Sequence, residues 1–598
     1  MKKFRLTTFI FLIAFSMGSI AGQAKGAQIS YKVTFPEAQA HYADIEMKIS
    51  GLNQKATNLK MPVWTPGSYL IREFAKSIEG FSASYKGDAL SAVKINKNTW
   101  HIGTAGVSEL TVKYRVYAFE ISVRTSVIDA SHGFLSTSGI FLYPEGMLNQ
   151  PSTINIVPYK NWDKVSTSLE QVGNDQFTVK APNYDILFDS PIEVGNQDVF
   201  GFDVAGVKYE VCMYGGGNYD KERLKTDLTK IIEQQTAVFG ENPNKRYVFI
   251  VHNYQRGGGG LEHLSSTVLG ASRDAYGTER GYEGFLGLAS HEHFHLWNVK
   301  RLRPIALGPF DYETENYTTN LWIAEGFTAY YQDNIVRRTN LYSVDNYLDD
   351  VVGNFNMLDN QPGAKIQSAS ESSFDAWIKF YRPNENSANT TISYYNKGAV
   401  IGTLLDLEII NDSDGKYSLD DVMKYMYTEY YKNRKRGYTD AEFKLGLEKF
   451  AGKKLDDFYK KYINDVDQVD YDKFLGYAGY KLNNELANSN TPSLGISSSN
   501  ISGKIIVSAV ARNSAAWVDG INVNDEIAAI DGTPVTDPTA ILNGKNVGDK
   551  INVTVNRDGK QLVLPVTLLK STRVKYKIEA IADANAKQLE VRKRWLRQ

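Results

Sequence analysis

The hydrophobic period of this 598-residue chain changes near residue 204, and that change limits the folds open to it. From about 28 to 203 apolar and polar residues alternate in short runs, as in "QISYKVTF", "LTVKYRVYAF" and "STINIVPYK", broken by Gly, Asn, Asp and Pro. Period two with turn residues at that spacing predicts an N-terminal antiparallel β domain over 28–203. Beyond "GVKYEVCMYGGG" the spacing turns helical. "DKERLKTDLTKIIEQQTAVFG" ends on Gly240, a strand-like "RYVFIVHNY" follows at 246–254, and helical patterns recur at 282–299, 317–338, 395–411, 418–431 and 455–464. An α+β domain with a helical C-terminal part is therefore expected over 204–482. A chain this long exceeds one hydrophobic core, so a multidomain protein follows from length as well.

The two ends differ in character. At the N-terminus Lys2, Lys3 and Arg5 precede an apolar run from Phe9 to Ile20, with small residues after it. That order predicts a signal peptide over 1–24, and the run is shorter than the ~20 residues that span a bilayer. The expected product is exported, periplasmic or secreted, with no stable membrane anchor after cleavage. Cys212 is the only cysteine, so no internal disulfide can form. Lys plus Arg (67) balance Asp plus Glu (68), which leaves no field to gather nucleic acid and excludes it as a partner. Near the C-terminus "NNELANSNTPS" (483–493) reads as a linker. After it, "SLGI" at 493–496 and "SAVARNSAAWVDGINVNDEIAAIDG" at 508–532 resemble a PDZ domain, expected over 491–570. The resemblance implies a groove for the C-terminus of an extended peptide, with Leu494, Gly495 and Ile496 as its carboxylate loop. Residues 571–598 are basic and helix-like, a solvated or docking tail.

The chemistry concentrates in "GLASHEHFHLWNVK" (287–300), which holds three of the eight histidines in five positions. On a helix, positions four apart lie about 40° apart, so His291 and His295 share a face and can grip one metal ion. His293 cannot join them. Glu292 is turned about 100° away, off the metal and beside a water on it, the H-E-x-x-H arrangement of a zinc site with a glutamate base. A third ligand is needed. "NLWIAEGFTAYYQD" (320–333) reads as a second helix carrying Glu325, which would complete a His₂Glu set binding one Zn²⁺ per chain; cobalt or manganese would suit the same donors. In "YQRGGGGLEHLSST" (254–267), Gly259 and Gly260 would let a substrate approach the backbone, and Glu262 could pair with a free α-amino group; the plain alternative is a flexible turn. "TISYYNKGAVIGTLLDLEI" (391–409) offers Tyr395 as a hydrogen-bond donor to an oxyanion.

Taken in order, G-G-L-E-H (259–263), H-E-H-F-H (291–295), W-I-A-E-G-F (322–327) and Y-N-K-G (395–398) resemble the gluzincin metallo-aminopeptidases. "MPVWTPGSYLIREFAK" (61–76) and the PDZ-like segment narrow the resemblance to the PDZ-carrying glycyl aminopeptidases, over essentially the whole mature chain. It implies a thermolysin-like domain with zinc on His291, His295 and Glu325. It also implies Glu292 as base, Tyr395 as oxyanion donor, Glu262 as anchor for the amino terminus of peptide substrates, and release of small residues such as glycine or alanine. His263 departs from the asparagine of the family motif. Two other readings compete: a zinc endopeptidase, and a PDZ-based peptide-binding adaptor on an inactive protease fold.

Overall fold

The computed structural model describes residues 27–537 and 539–598; the expected signal peptide lies outside them. The N-terminal domain is built on an eight-stranded sheet with Gln28–Thr34, Tyr42–Ser50 and Glu109–Tyr117 near its middle, beside two four-stranded sheets. Alternate residues of these strands point inward, so Ile29, Tyr31 and Val33 are buried between exposed neighbours. Among its described strands one pair departs from the antiparallel expectation, because Ile29–Thr34 runs parallel to Ser152–Val157. Period two reports which face is buried and carries no information on strand direction.

The sheet of the second domain has five strands: β1 (Asp198–Val204), β2 (Val207–Tyr214), β3 (Arg246–Tyr254), β4 (Gly260–Glu262) and β5 (Ser266–Ser272). They lie in the order β1-β2-β3-β5-β4. β2, β3 and β5 run parallel, while β1 and the edge strand β4 are antiparallel to their neighbours. β3 is buried along nearly its whole length, as a strand covered on both faces must be. β1 falls before residue 204, since a period-two hairpin looks like the β domain that precedes it.

Four helices frame the site: α1 (Lys221–Phe239), α2 (Glu279–Phe294), α3 (Gly326–Arg338) and α4 (Tyr394–Asp412). α1 begins at Asp220, whose carboxylate accepts the Glu222 and Arg223 amides, and ends at Gly240 in the left-handed region. α4 is buried on almost every side and forms the axis of the helical part. Two buried contacts stand out among those that lock the N-terminal domain onto this unit. Buried Glu193 accepts from His132 Nδ1 (2.8 Å) and from His252 Nε2 on β3 (3.0 Å). The Trp64 indole donates to the Asp311 carbonyl (2.7 Å) and packs edge-on against Trp377.

Strands Tyr480–Asn484 and Tyr576–Ala580 pair antiparallel, so the six-stranded C-terminal sheet is held between two strands that return to the helical part. The supposed linker thus starts inside a strand. The basic tail docks: helix α5 (Ala586–Leu596) buries Val591, Trp595 and Leu596 in the main core and keeps its charges outward. Just past it, Arg597 donates to Asp420 (2.9 Å), which also takes a bidentate pair from Arg338 at the end of α3 (2.8 and 2.9 Å) and the Tyr331 hydroxyl (2.9 Å). No described helix is long and apolar enough to cross a membrane.

Burial opposes the Asp420 charge, but the two guanidiniums outweigh it and hold the carboxyl at about 2. A depressed pKa contributes stability that is present above the unfolded value, near pH 4, and is lost as pH falls towards 2. Asp420→Asn is expected to cost at least about 2 kcal/mol at pH 7. The gap to wild type should narrow in denaturation curves between pH 4 and pH 2. A constant gap over that range would refute the assignment.

Candidate active site

α2 starts at Thr278, whose hydroxyl accepts the Gly281 amide, and brings His291, Glu292 and His295 to its buried C-terminal end. The short turn Leu321–Ala324 runs through Glu325 into α3 and places that carboxylate opposite the imidazoles. Glu325 Oε2 lies 3.7 Å from His291 Nε2 and 3.2 Å from His295 Nε2. Two donors each about 2.1 Å from a tetrahedral ion sit about 3.4 Å apart, so this spacing suits one metal. His295 Nδ1 faces the Asn298 carbonyl at 2.8 Å, which can only accept, so Nδ1 carries a proton and Nε2 is the nitrogen turned towards Glu325. Burial disfavours both charges, yet His295 rises to about 10 beside Glu325 and Glu262, and Glu325 falls to about 2 beside the imidazoles. Glu325 Oε1 and Glu292 Oε2 are buried with no partner. The other buried His-Glu-His cluster, His132–Glu193–His252, differs, since both Glu193 oxygens already accept hydrogen bonds.

The third histidine of the motif faces away. His293 is bonded through Nδ1 to Gln235 Oε1 (2.5 Å) and through Nε2 to the Tyr209 hydroxyl (3.2 Å), and burial pushes it down to about 3. It is a neutral core residue.

Glu292 and Glu262 converge with His295, ligand atoms of all three lying within 4.8 Å of one another. Burial pushes Glu292 up to about 8 and raises Glu262 as well. Both glutamates meet the edge strand. A Cβ on Gly260 would collide with the Glu292 carboxylate, so glycine at that position lets the strand pass over that side chain. Gly67 of the N-terminal domain, at φ +87°, lies over Glu262, where a Cβ would sit 2.6 Å from both carboxylate oxygens. Tyr395 stands beside the His291–His295–Glu325 cluster, its ring 6.0 Å from that of His291 and stacked on Tyr394. Burial and then Glu325 raise its pKa well above the ordinary value, so the hydroxyl keeps its proton. α3 and α4 can cross this closely because Gly326 and Gly398 face each other, and a Cβ on either would strike the other helix.

The geometry decides the comparison. Residues 30–196 match the Peptidase M61 N-terminal domain, 284–401 the M61 glycyl aminopeptidase and 492–568 a PDZ domain. The crystal structure of an aminopeptidase N family protein from Idiomarina loihiensis superposes with a TM-score of 0.88 at 30% identity, covering 95% of this chain and all of that one (100%). The chain belongs to the M61 glycyl aminopeptidase family. It is accordingly a metallopeptidase of the aminopeptidase type, with an M61 N-terminal domain, a catalytic domain and a PDZ domain. An M1 zinc metallopeptidase from Deinococcus radiodurans resembles it more distantly, at 12% identity and a TM-score of 0.45 over 71% of this chain and 90% of that one. No curated protein matches the chain.

Two contributors to the M61 site carry no pattern of their own in the sequence. Asn298 Nδ2 donates towards the Ile323 and Ala324 carbonyls (3.0 and 3.1 Å) and Thr328 Oγ1 (3.0 Å), tying the turn after His295 to the turn that presents Glu325. Asp189 of the N-terminal domain takes His263 Nδ1 (3.0 Å), the Leu264 amide (2.8 Å) and Lys300 Nζ (2.6 Å), which anchors the strand end beyond Glu262. His263, the departure from the family motif, is thus a support behind the strand. In the PDZ domain Leu494 is buried in the core, the Gly495 amide donates to Ser493 Oγ (3.0 Å), and Ile496 opens the first strand.

Gly260→Ala is expected to lower turnover about 100-fold by displacing Glu292, with little change in melting temperature, since the strand itself is undisturbed. Rates on an aminoacyl amide and a thermal melt of the same sample check both halves. A variant with wild-type turnover would mean that Glu292 does not need this contact.

Proposed function

We propose that this enzyme uses one zinc ion, held by His291, His295 and Glu325, to release small N-terminal residues, glycine or alanine, from peptides. The observation that carries the reading is that a two-imidazole, one-carboxylate cluster and two unpaired glutamates meet at the open edge strand β4. Zn²⁺ bound there supplies a lowered water pKa, from about 15.7 towards about 7, and polarises the scissile carbonyl.

This chain's residues do the rest. A substrate lying along β4 places its ammonium group at Glu262, whose buried oxygen lacks a partner. Glu292, raised towards neutrality by burial, takes the proton of the attacking water and returns it to the leaving nitrogen. Tyr395, kept protonated, donates to the oxygen on which negative charge develops. Gly67 packs so closely over Glu262 that no methyl group at position 67 would fit, which holds the carboxylate in place at the end of β4.

Glu292→Gln should lower kcat by at least about 1,000-fold while one zinc per chain remains bound by metal analysis. Tyr395→Phe should lower kcat about 100- to 1,000-fold with KM little changed. Near-normal turnover in the first variant would remove the mechanism.

An endopeptidase would differ at Glu262, where the amine pairs. N-acetylated peptides should be cleaved at least about tenfold more slowly than their free-amine forms, and Glu262→Gln should shrink that ratio. Equal rates in wild type would favour the endopeptidase.

A further inference from the structure

The N-terminal domain sends a cation to the open side of the edge strand. Arg124 lies on a segment pinned by buried Val123 and Val127, with its own carbonyl taken by Ser136 Oγ (3.2 Å). Its single side-chain hydrogen bond among the described residues runs from Nη2 to the Gly260 carbonyl (3.3 Å), and Nε is buried without a partner. The Cβ position of Gly259 is 3.6 Å from Nη1. Arg72 stands nearby, its side chain 12% exposed, with only Glu120 at 3.8 Å, itself largely in solvent, as a counter-charge. Burial and then the charge of Arg124 lower the Arg72 pKa, so the two guanidiniums crowd one corner of the cleft. Such a pair carries a surplus that an anionic ligand would offset.

Direction along the strand identifies the anion. β4 ends at Glu262, and a peptide running antiparallel to it passes Gly260 and Gly259 as it leaves the amine site. At about 3.4 Å per residue, those positions lie roughly two to three residues from the amino terminus. We propose that Arg124, with Arg72 behind it, binds the C-terminal carboxylate of di- and tripeptides. Substrate length would then be measured between Glu262 and Arg124, within the catalytic cleft. The inference rests on the aminopeptidase reading above.

The test compares Ala-Phe and Ala-Gly-Phe as free acids with their C-terminal amides, alongside alanine p-nitroanilide, which has no carboxylate. Wild type should favour the free acids in kcat/KM by about tenfold or more. Arg124→Met should bring the acid-to-amide ratio close to one, and Arg124→Lys should restore part of it. Because the ratio is taken within one variant, general damage to the fold cancels. Equal wild-type rates for acid and amide would overturn the proposal without recourse to any variant, as would an unchanged ratio in Arg124→Met. Turnover of the p-nitroanilide with no acid preference would sink this inference alone. Silence across every substrate would instead remove the aminopeptidase reading and this inference with it.

Discussion

The Glu325 carboxylate is 1% exposed, and burying a charge so completely costs several kcal/mol unless opposite charge and hydrogen bonds surround it. His291 and His295 meet that need only if two helices from different parts of the chain end at the same point. Much of the central architecture serves this meeting. α2 presents the imidazoles one turn apart, Asn298 ties the turn after α2 to the turn before α3, and the facing glycines Gly326 and Gly398 let α4 bring Tyr395 against the pair. A single methyl at either glycine would push Tyr395 and Glu325 apart. The Arg338–Asp420–Arg597 cluster then fixes the far end of α3, so the carboxylate sits on an element restrained at both ends.

How much of this was legible in the sequence depends on distance along the chain. The H-E-x-x-H spacing is local, and helical geometry alone tells which histidines cooperate and why His293 does not. Glu325 was readable because it sits in an amphipathic run of its own. The glycines in W-I-A-E-G and Y-N-K-G could be seen as parts of motifs, but their reason, a contact between two helices some seventy residues apart, needs the fold. Gly67, Arg124 and Asp189 lie in a domain whose alternating pattern gives no hint that its loops reach the cleft. For the same reason the domain border was invisible, since β1 belongs to the catalytic sheet yet carries the same period as the strands before it.

The placement of the PDZ domain follows from chain return. Its two flanking strands pair with each other, and α5 buries Trp595 against Tyr347 and Tyr480 in the main core. The domain therefore departs from a closed frame and cannot drift as a module on one tether would. It is also held from the side. Asn389 donates to the Val510 carbonyl and accepts the Arg512 amide, both at 2.8 Å, just outside the PDZ loop whose Ala511 amide bonds to Gly495. Asn389 lies on the short helix that precedes α4, five residues before Tyr394. A change in the carboxylate loop has a continuous path of hydrogen bonds and backbone to the segment that presents Tyr395.

Three carboxylates and two imidazoles, all buried in one cleft, form a charge set that no single pairing satisfies. Glu325 is neutralised by the histidines, which leaves Glu292 and Glu262 close together, both buried and each with an oxygen lacking a partner. Like charges at this range push carboxyl pKa values upward, and burial adds to the effect. His295 opposes that rise at both carboxyls, and Glu292 meets a further positive charge from outside the helical part. Arg124 carries it in from the N-terminal domain, where burial opposes its charge and the cleft groups, Glu292 and Glu262 among them, favour it. Without that domain the cleft would keep His291, His295 and Glu325 and lose one of the cations that face Glu292. The β domain is therefore part of the electrostatics of the site, and its Trp64 and Tyr69 share the apolar core of the domain that carries the cluster.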